Sequence, residues 1–255
     1  MEEQDSTIPT STIDYVTLNK ASKEKWDEFS YVYGEFLEKY NVPLAIQLWN
    51  AMGRPKFNTF LEAGCGAGHF LNYLLKEVNY ACSIVASDLS DKMIARASER
   101  NQQLIKEKNT NCGVEVMFTE NSNEKLSGIS SGIVDVYISN LTLHLVADPD
   151  RMLKEALRVL KPGGKLGVTV LGDYEKCTSI CEINNVFKKY MKEDDTWGPS
   201  AGKKPFHMNR EALIEIVKKN GFKFEMCWET WIAQPPYSDE DYKINLKIPE
   251  NVKKL

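Results

Sequence analysis

The stretch FNTFLEAGCGAGHFLNYLL, residues 57–75, decides the fold of this 255-residue chain. An apolar run ends at Glu62, three glycines follow at alternate positions, and a helical pattern of apolar residues begins at Phe70. This order predicts a buried strand, a tight turn and a helix. Glycine suits a turn that needs a positive φ or that a ligand approaches closely. Because the helix N-terminus offers free N–H groups, the turn predicts a site for an anionic or zwitterionic ligand.

Glu62, directly before the turn, indicates which ligand fits. Dinucleotide-dependent oxidoreductases also use a glycine-rich turn, but Gly64, Gly66 and Gly68 do not follow the dinucleotide spacing. A carboxylate at this point repels a pyrophosphate and attracts an ammonium group. An amino-acid head group satisfies both the acid and the helix end. The stretch resembles motif I of the class I methyltransferases that use S-adenosyl-L-methionine (SAM).

After the turn, apolar runs alternate with amphipathic patterns, which predicts βαβ units on a parallel sheet. The second run, CSIVAS, ends at Asp88. An acid there accepts both ribose hydroxyls of a nucleoside in a doubly wound fold; capping the next helix is its alternative role. Leu89 is then placed against the adenine ring. The fourth run, IVDVYISN, ends at Asn140, and a fifth follows the phrase RVLKPGGKL.

Four signals, FLEAGCGAG, Asp88, SNLTLH and RVLKPGGKL, occur in this order between residues 57 and 171. Together they resemble the small-molecule methyltransferases of the ubiquinone/menaquinone-biosynthesis kind, the type 11 family. The resemblance implies an α/β, Rossmann-like fold with a mostly parallel seven-stranded sheet, N-terminal helices and a lid insertion. It also implies SAM as cofactor, with S-adenosyl-L-homocysteine as product. The cofactor-binding residues that it implies in these motifs are Glu62, Gly64, Cys65, Gly66, Gly68, Asp88, Leu89, Asn140 and Leu141.

The loop after the third strand departs from the family pattern. Members of the family often place an Asp there to hold the adenine amino group, and the matching position is Ser122, followed by Asn123. A serine is a weaker acceptor than a carboxylate. Glu120 or Asn121 takes this role if the loop is longer than the match supposes.

The remainder of the chain divides into a disordered tail (1–16) and a single domain (17–255). Within the domain, residues 17–56 are expected to be helical, with a second helix opening at Asn41 and Pro43. In the resembled family such a segment packs over the cofactor, so that Tyr33 or Tyr31 touches its methionine end; plain packing is the alternative. A strand is expected over residues 222–233. Residues 173–208 are expected to form a substrate lid whose binding side chains are Trp197, Phe206 and His207.

SAM carries its own leaving group, so methyl transfer needs mainly the alignment of donor and acceptor. A general base matters only when the acceptor atom is protonated. His144, four residues past Asn140, is the candidate base or positioning group, and a buried packing histidine is the alternative. The sequence thus predicts transfer of a methyl group to an O, N, C or S atom of a small molecule.

Composition excludes several other classes. The net charge of −4 and the scattered lysine pairs argue against a nucleic-acid partner. No apolar run is long enough to span a membrane, and the acidic N-terminus is unlike a signal peptide. The six cysteines lack the spacing of a zinc site, so no metal is expected. We expect the cysteines to be reduced thiols in a cytoplasmic protein. Two rivals remain, a catalytically silent SAM-binding partner subunit and an NAD(P)-dependent oxidoreductase, and the oligomeric state is open.

Overall fold

The computed structural model describes residues 15–173, 176–177 and 208–232. None of the helices in these ranges is both long and apolar enough to cross a membrane. The helices are α1 (Tyr15–Val32), α2 (Glu38–Ala51), α3 (His69–Glu77), α4 (Asp91–Cys112), α5 (Pro149–Val159) and α6 (Arg210–Lys219). The strands are β1 (Thr59–Ala63), β2 (Cys82–Asp88), β3 (Val114–Glu120), β4 (Val134–Ser139) and β5 (Leu160–Val168).

The five strands form one parallel sheet in the order β3-β2-β1-β4-β5. β1 lies at the centre, and the chain order reverses between β1 and β4. In open α/β sheets, ligands bind beyond the carboxyl ends of the strands at such a switch point. The glycine turn directly follows β1, so the topology places it at that position. The predicted Rossmann-like parallel sheet is confirmed for these five strands.

Alternate residues of β1 point to opposite faces of the sheet. Phe60 belongs to a buried cluster that includes Leu74 of α3. Its neighbour Leu61 belongs to a second cluster that includes Leu153 of α5. Burying side chains of this size stabilises the fold by about 1.5–3 kcal/mol each. The two clusters fix β1 from both faces and thereby fix the start of the glycine turn.

The N-terminal segment (15–51) is a nearly continuous helical run. A π-helical turn, Tyr33–Leu37, joins α1 to α2. The prediction that a separate helix opens at Asn41 and Pro43 is wrong, because Pro43 lies inside α2. Pro43 removes one backbone hydrogen bond, but the buried residues after it in α2, such as Leu48, hold the helix against the domain.

The strand predicted over residues 222–233 is not formed over 222–232, the part that the structure describes. Within it Met226, Trp228 and Trp231 are exposed. A strand needs a neighbouring backbone ladder, and no partner strand for this stretch lies within the described ranges. Most of the expected lid (173–208) and all of residues 233–255 fall outside those ranges. The seven-stranded sheet and the lid therefore stay predictions.

Candidate functional site

The glycine turn requires glycine for two separate reasons. Gly64, Gly66 and Gly68 have φ values of +76°, +55° and +79°, which favour residues without a Cβ. A Cβ on Gly64 would overlap the side chain of Thr142, and a Cβ on Gly68 would lie 2.8 Å from Asn101 Nδ2. The turn is therefore closely packed against the loop after β4 and against α4.

The end of β2 holds the turn in place. Ser87 O accepts hydrogen bonds from the N–H groups of Gly64 (2.8 Å) and Cys65 (2.9 Å). Burial raises the pKa of the Cys65 thiol well above its usual range, so this cysteine is a neutral packing residue. These contacts join two of the predicted cofactor motifs into one structure.

Asp88 lies beside the turn, as expected of the ribose-binding acid. Its Oδ2 accepts from Gly66 N at 2.9 Å, and its Oδ1 accepts from Ser90 N at 3.0 Å. Ser90 is the N-cap of α4, so the alternative of Asp88 as that cap is wrong. Burial raises the pKa of Asp88, and the backbone N–H groups partly offset this. Leu89 follows, half-buried, at the same edge of the sheet.

Glu62 is buried next to the turn, with only 3% of the residue exposed. Its Oε2 has no hydrogen-bond partner among the described residues. Burial raises its pKa well above the usual range, and the nearby carboxyls of Glu38 and Asp88 raise it further. A buried carboxyl oxygen of this kind is suited to a cationic ligand group.

Glu38 is the site residue that sequence reasoning missed. Its Oε2 accepts from Ala67 N at 2.7 Å, and its Oε1 accepts from His69 N at 3.0 Å. The N–H groups expected to receive a ligand carboxylate are therefore bound by a carboxyl of the chain itself. Burial raises the pKa of Glu38 to about 7, although the two N–H groups oppose the shift. A signal was present, since Glu38 shares the buried stripe of α2 with Ala45 and Trp49.

A small cavity of about 20 Å³ lies between the N-terminal segment and the turn. Glu38, Glu62 and Tyr33 line it, together with Cys65 and Asn140. Tyr33 rather than Tyr31 is thus the tyrosine at the site. Tyr31 is 46% exposed and lies beneath the guanidinium of an arginine on α4.

Tyr33 is held in place by its neighbours. Its hydroxyl accepts from Asn41 Nδ2 at 3.3 Å, and its ring meets Trp26 edge-on at 5.5 Å between centroids. Burial raises the pKa of Tyr33 far above its usual range, and the carboxyl of Glu38 adds to this. Its hydroxyl is consequently a neutral hydrogen-bonding group.

Asn140 and Leu141 follow β4 and connect three parts of the site. Asn140 Nδ2 donates to Asn41 O at 3.2 Å, and its Oδ1 accepts from Thr169 Oγ1 at 2.6 Å. Leu141 has a φ of +54°, and its N–H donates to Thr169 O at 3.1 Å. A non-glycine residue in this conformation is strained, and such strain clusters at functional sites.

The loop after β3 shows where the expected adenine contacts lie. Ser122 Oγ accepts a hydrogen bond from the backbone N–H of Glu124, two residues along the chain, at 3.3 Å. Asn123 is buried, and its Oδ1 lacks a partner in the described part of the chain. Asn121 Nδ2 donates to Thr119 Oγ1 at 2.9 Å, while the carboxyl of Glu120 lies 3.3 Å from a lysine of α1. Of the two predicted residues, Asn123 therefore has the side-chain acceptor without a partner among the described residues.

A larger crevice of about 1090 Å³ opens next to the small cavity. Its walls come from α1, α2, the end of β5 and residues 208–232. Tyr33, Leu141 and His144 line it, and His144 is buried in the loop after β4. The expected lid residues Trp197, Phe206 and His207 lie outside the described residues.

Comparisons with known proteins agree with this geometry. Residues 61–168 match the family model described as a methyltransferase domain. The malonyl-acyl-carrier protein O-methyltransferase of Paenibacillus sp. (strain JDR-2) is 24% identical over 200 residues, which are 78% of this chain and 67% of that protein. The demethylmenaquinone methyltransferase of Lactobacillus johnsonii is 31% identical over 112 residues, 42% of this chain and 41% of that protein.

The fold also matches solved structures. The crystal structure of the 4+2 cyclase SpnF aligns with a TM-score of 0.51 and 22% identity, covering 71% of this chain and 56% of that one. At this identity the likeness concerns the fold alone. This chain spans about half of the length, or less, of most of the curated relatives that it matches. The matched segment holds Glu62, the glycine turn, Asp88 and Asn140, so this part of the chain is similar to the class I methyltransferase domains of the type 11 family, which use SAM as cofactor.

Proposed function

We propose that this chain transfers the methyl group of SAM to an O, N, C or S atom of a small molecule by in-line displacement. One observation carries the proposal. Within the matched segment, the buried Glu62 Oε2 lacks a partner among the described residues and lies beside a glycine turn that Asp88 helps to hold. This arrangement suits a ligand that combines an ammonium group with a ribose.

On the cofactor side, each predicted residue has a role that its position supports. Asp88 would accept the ribose hydroxyls, Leu89 would contact the adenine, and Glu62 would face the ammonium group. SAM, when bound, supplies an electrophilic methyl group on a sulfonium that is itself the leaving group. The task of the chain is then to align the acceptor and exclude water.

The methyl acceptor would bind in the larger crevice. This crevice meets the small cavity at Tyr33, which lines both. Trp26 and Phe29 continue this wall, with ring centroids 6.1 Å apart. An apolar and aromatic wall favours a small organic acceptor over a polyanion.

The cofactor assignment is tested by thermal unfolding of the protein with SAM, S-adenosyl-L-homocysteine, NAD(H) and NADP(H) in parallel. A ligand at about 100 times its dissociation constant adds roughly 2.7 kcal/mol of stability. We expect the two adenosyl ligands alone to raise the melting temperature. A rise with a nicotinamide dinucleotide alone would favour the oxidoreductase instead. SAM binding without release of S-adenosyl-L-homocysteine for any acceptor would favour the silent subunit.

The role of His144 is tested once an acceptor has been found by release of S-adenosyl-L-homocysteine. We expect His144→Ala to lower kcat at least roughly 100-fold, the lower end of the effect of a general base. The SAM dissociation constant should stay unchanged, because His144 lines the acceptor crevice and does not line the small cavity. Full turnover by His144→Ala would remove His144 from the reaction.

A further inference from the structure

The contact between Glu38 and the glycine turn joins the N-terminal segment to the cofactor site. Both carboxyl oxygens of Glu38 accept from backbone N–H groups of the turn and of the start of α3. The same carboxyl lines the small cavity opposite Glu62, whose Oε2 is buried without a partner in the described ranges. Two acids thus face one small cavity from different parts of the chain.

We propose that Glu38 is a cofactor-selecting residue, which binds the ammonium group of SAM jointly with Glu62 and releases a proton to solvent when the cofactor binds. The inference rests on the proposed function, since it assumes that SAM is the ligand. The O–H bond of the carboxylic acid breaks, its proton passes to solvent, and the resulting carboxylate faces the bound cation. A ligand without the ammonium group gains nothing from this pair.

The charges around Glu38 explain why it holds a proton before the cofactor binds. The carboxyls of Glu62 on β1 and Asp88 on β2 lie near it, and Arg100 of α4 favours its ionised form. Burial is the main reason that the pKa of Glu38 is raised to about 7. A bound cation reverses this, because an opposite charge favours the ionised form. Tyr33 and Cys65 also lie close to Glu38, His69 donates its backbone N–H to it, and Glu35 and Lys39 lie near the ring of His69.

Isothermal titration calorimetry of the full chain with SAM tests the proposal. Runs in buffers of different ionisation enthalpy count the protons released on binding. At about pH 7 Glu38 is half protonated, so we expect the wild type to release about half a proton more per SAM than Glu38→Gln does. That difference should grow towards about pH 6 and vanish by about pH 9.

Two controls isolate the carboxyl and the ammonium group. Glu35→Gln changes an acid on the same segment whose side chain is 41% exposed and which pairs with Arg100 at 3.2 Å; it should release protons as the wild type does. The ligand 5′-methylthioadenosine keeps the adenosine and the S-methyl group of the cofactor, but its sulfur is a neutral thioether and it lacks the amino-acid end. It should give equal proton release with the wild type and with Glu38→Gln.

The outcomes separate this inference from the proposed function. Equal proton release on SAM binding by the wild type and Glu38→Gln would overturn the role of Glu38 and leave SAM as the ligand. Failure of the wild type to bind SAM would remove both proposals. If Glu38→Gln does not fold, a wild-type proton release that does not change between about pH 6 and pH 9 still contradicts the proposal.

Discussion

Gly64 lies where β1 ends, and two independent constraints act on it. Its φ is +76°, and a Cβ would overlap Thr142 Oγ1 and lie 2.9 Å from Thr142 Cγ2. We expect Gly64→Ala to lower the free energy of unfolding by about 2–5 kcal/mol, the sum of backbone strain and overpacking. Urea unfolding followed by circular dichroism measures this loss.

Gly128 provides the matched control for that change. Its φ of +80° is nearly the same, but a Cβ there meets nothing within 4 Å. Gly128→Ala should therefore show only the backbone strain, about 1–2 kcal/mol. Equal losses for the two variants would mean that Thr142 moves aside freely and that the turn is not closely packed.

Asp88 tests the cofactor site at a single carboxyl. We expect Asp88→Ala to weaken SAM binding more than roughly tenfold, since hydrogen bonds to a charged acceptor contribute about 1.5–3 kcal/mol. Calorimetry measures the affinity. Asp91→Ala serves as the control, because Asp91 is exposed and pairs with Lys23 of α1 at 3.0 Å. Unchanged affinity in Asp88→Ala would remove Asp88 from the site.

These residues show what a sequence reveals about a site. Gly64, Glu62 and Asp88 lie in or next to a turn whose local conformation dictates the residue types, so their places could be predicted. Glu38 reaches the turn from 29 residues away in sequence through a hydrogen bond to Ala67 N. A hydrogen bond between residues so far apart in sequence depends on how two elements pack against each other. The local sequence pattern around Glu38 contains little information about that packing.

At the scale of elements, the start of α4 is fixed from two directions. Ser90 Oγ accepts from Met93 N at 3.1 Å as the helix cap, and it also donates to Asp27 Oδ1 of α1. We expect Ser90→Ala to destabilise the protein by about 1–2 kcal/mol, because an N-cap is lost. Thermal or urea unfolding measures the change.

A double-mutant cycle with Asp27→Ala separates the cap from the docking of α1. Because the two side chains touch, the double variant should lose less stability than the two single losses added together, with a coupling of about 0.5–3 kcal/mol. Strict additivity would mean that the Ser90–Asp27 contact contributes nothing. The salt bridge of Lys23 to Asp91 would then hold α1 at α4.

Elements with a regular pattern and a buried neighbour could be predicted from the sequence. The runs that became β1, β2 and β4 carry apolar residues on both faces, and their bounds lie within two residues of those expected. The π-helical turn at Tyr33–Leu37 has no such pattern, because it changes the helical register over only five residues. Residues 222–233 have the composition of a strand, but no partner strand for them lies in the described part of the chain. Composition alone therefore predicted a strand that is not formed.

For the molecule as a whole, the pH dependence of stability follows from its buried acids. Among the described residues, burial raises the pKa of four carboxyls in the folded state: Glu38, Glu62, Asp88 and Glu124. Their protons are kept in the folded chain and lost in the unfolded one, so stability falls as pH rises from about 4.5 to about 7. Glu38 alone accounts for a fall of order 2–3 kcal/mol.

Urea unfolding of the ligand-free protein between about pH 5 and pH 8 measures this dependence. Glu38→Gln should show a flatter profile than the wild type. Carboxyls in ion pairs act in the opposite direction but in a lower window. The pKa of Asp135 is lowered by its contacts with Lys161 and backbone N–H groups, so its contribution is lost only below about pH 4. A wild type that gains stability from about pH 5 to pH 7 would contradict the prediction.

The contacts of the N-terminal segment have a consequence for biosynthesis. The Tyr15 hydroxyl donates a hydrogen bond to Asp148, and Asn140 donates one to the backbone oxygen of Asn41. The first helices thus contact residues that the ribosome adds much later. At 5–20 residues per second, a ribosome needs roughly 5–20 s to add the intervening chain of about 100 residues. During that interval Tyr15 and Asn41 lack the partners that they have in the folded chain. The N-terminal segment can therefore reach its native position only after the chain has been made as far as Asp148.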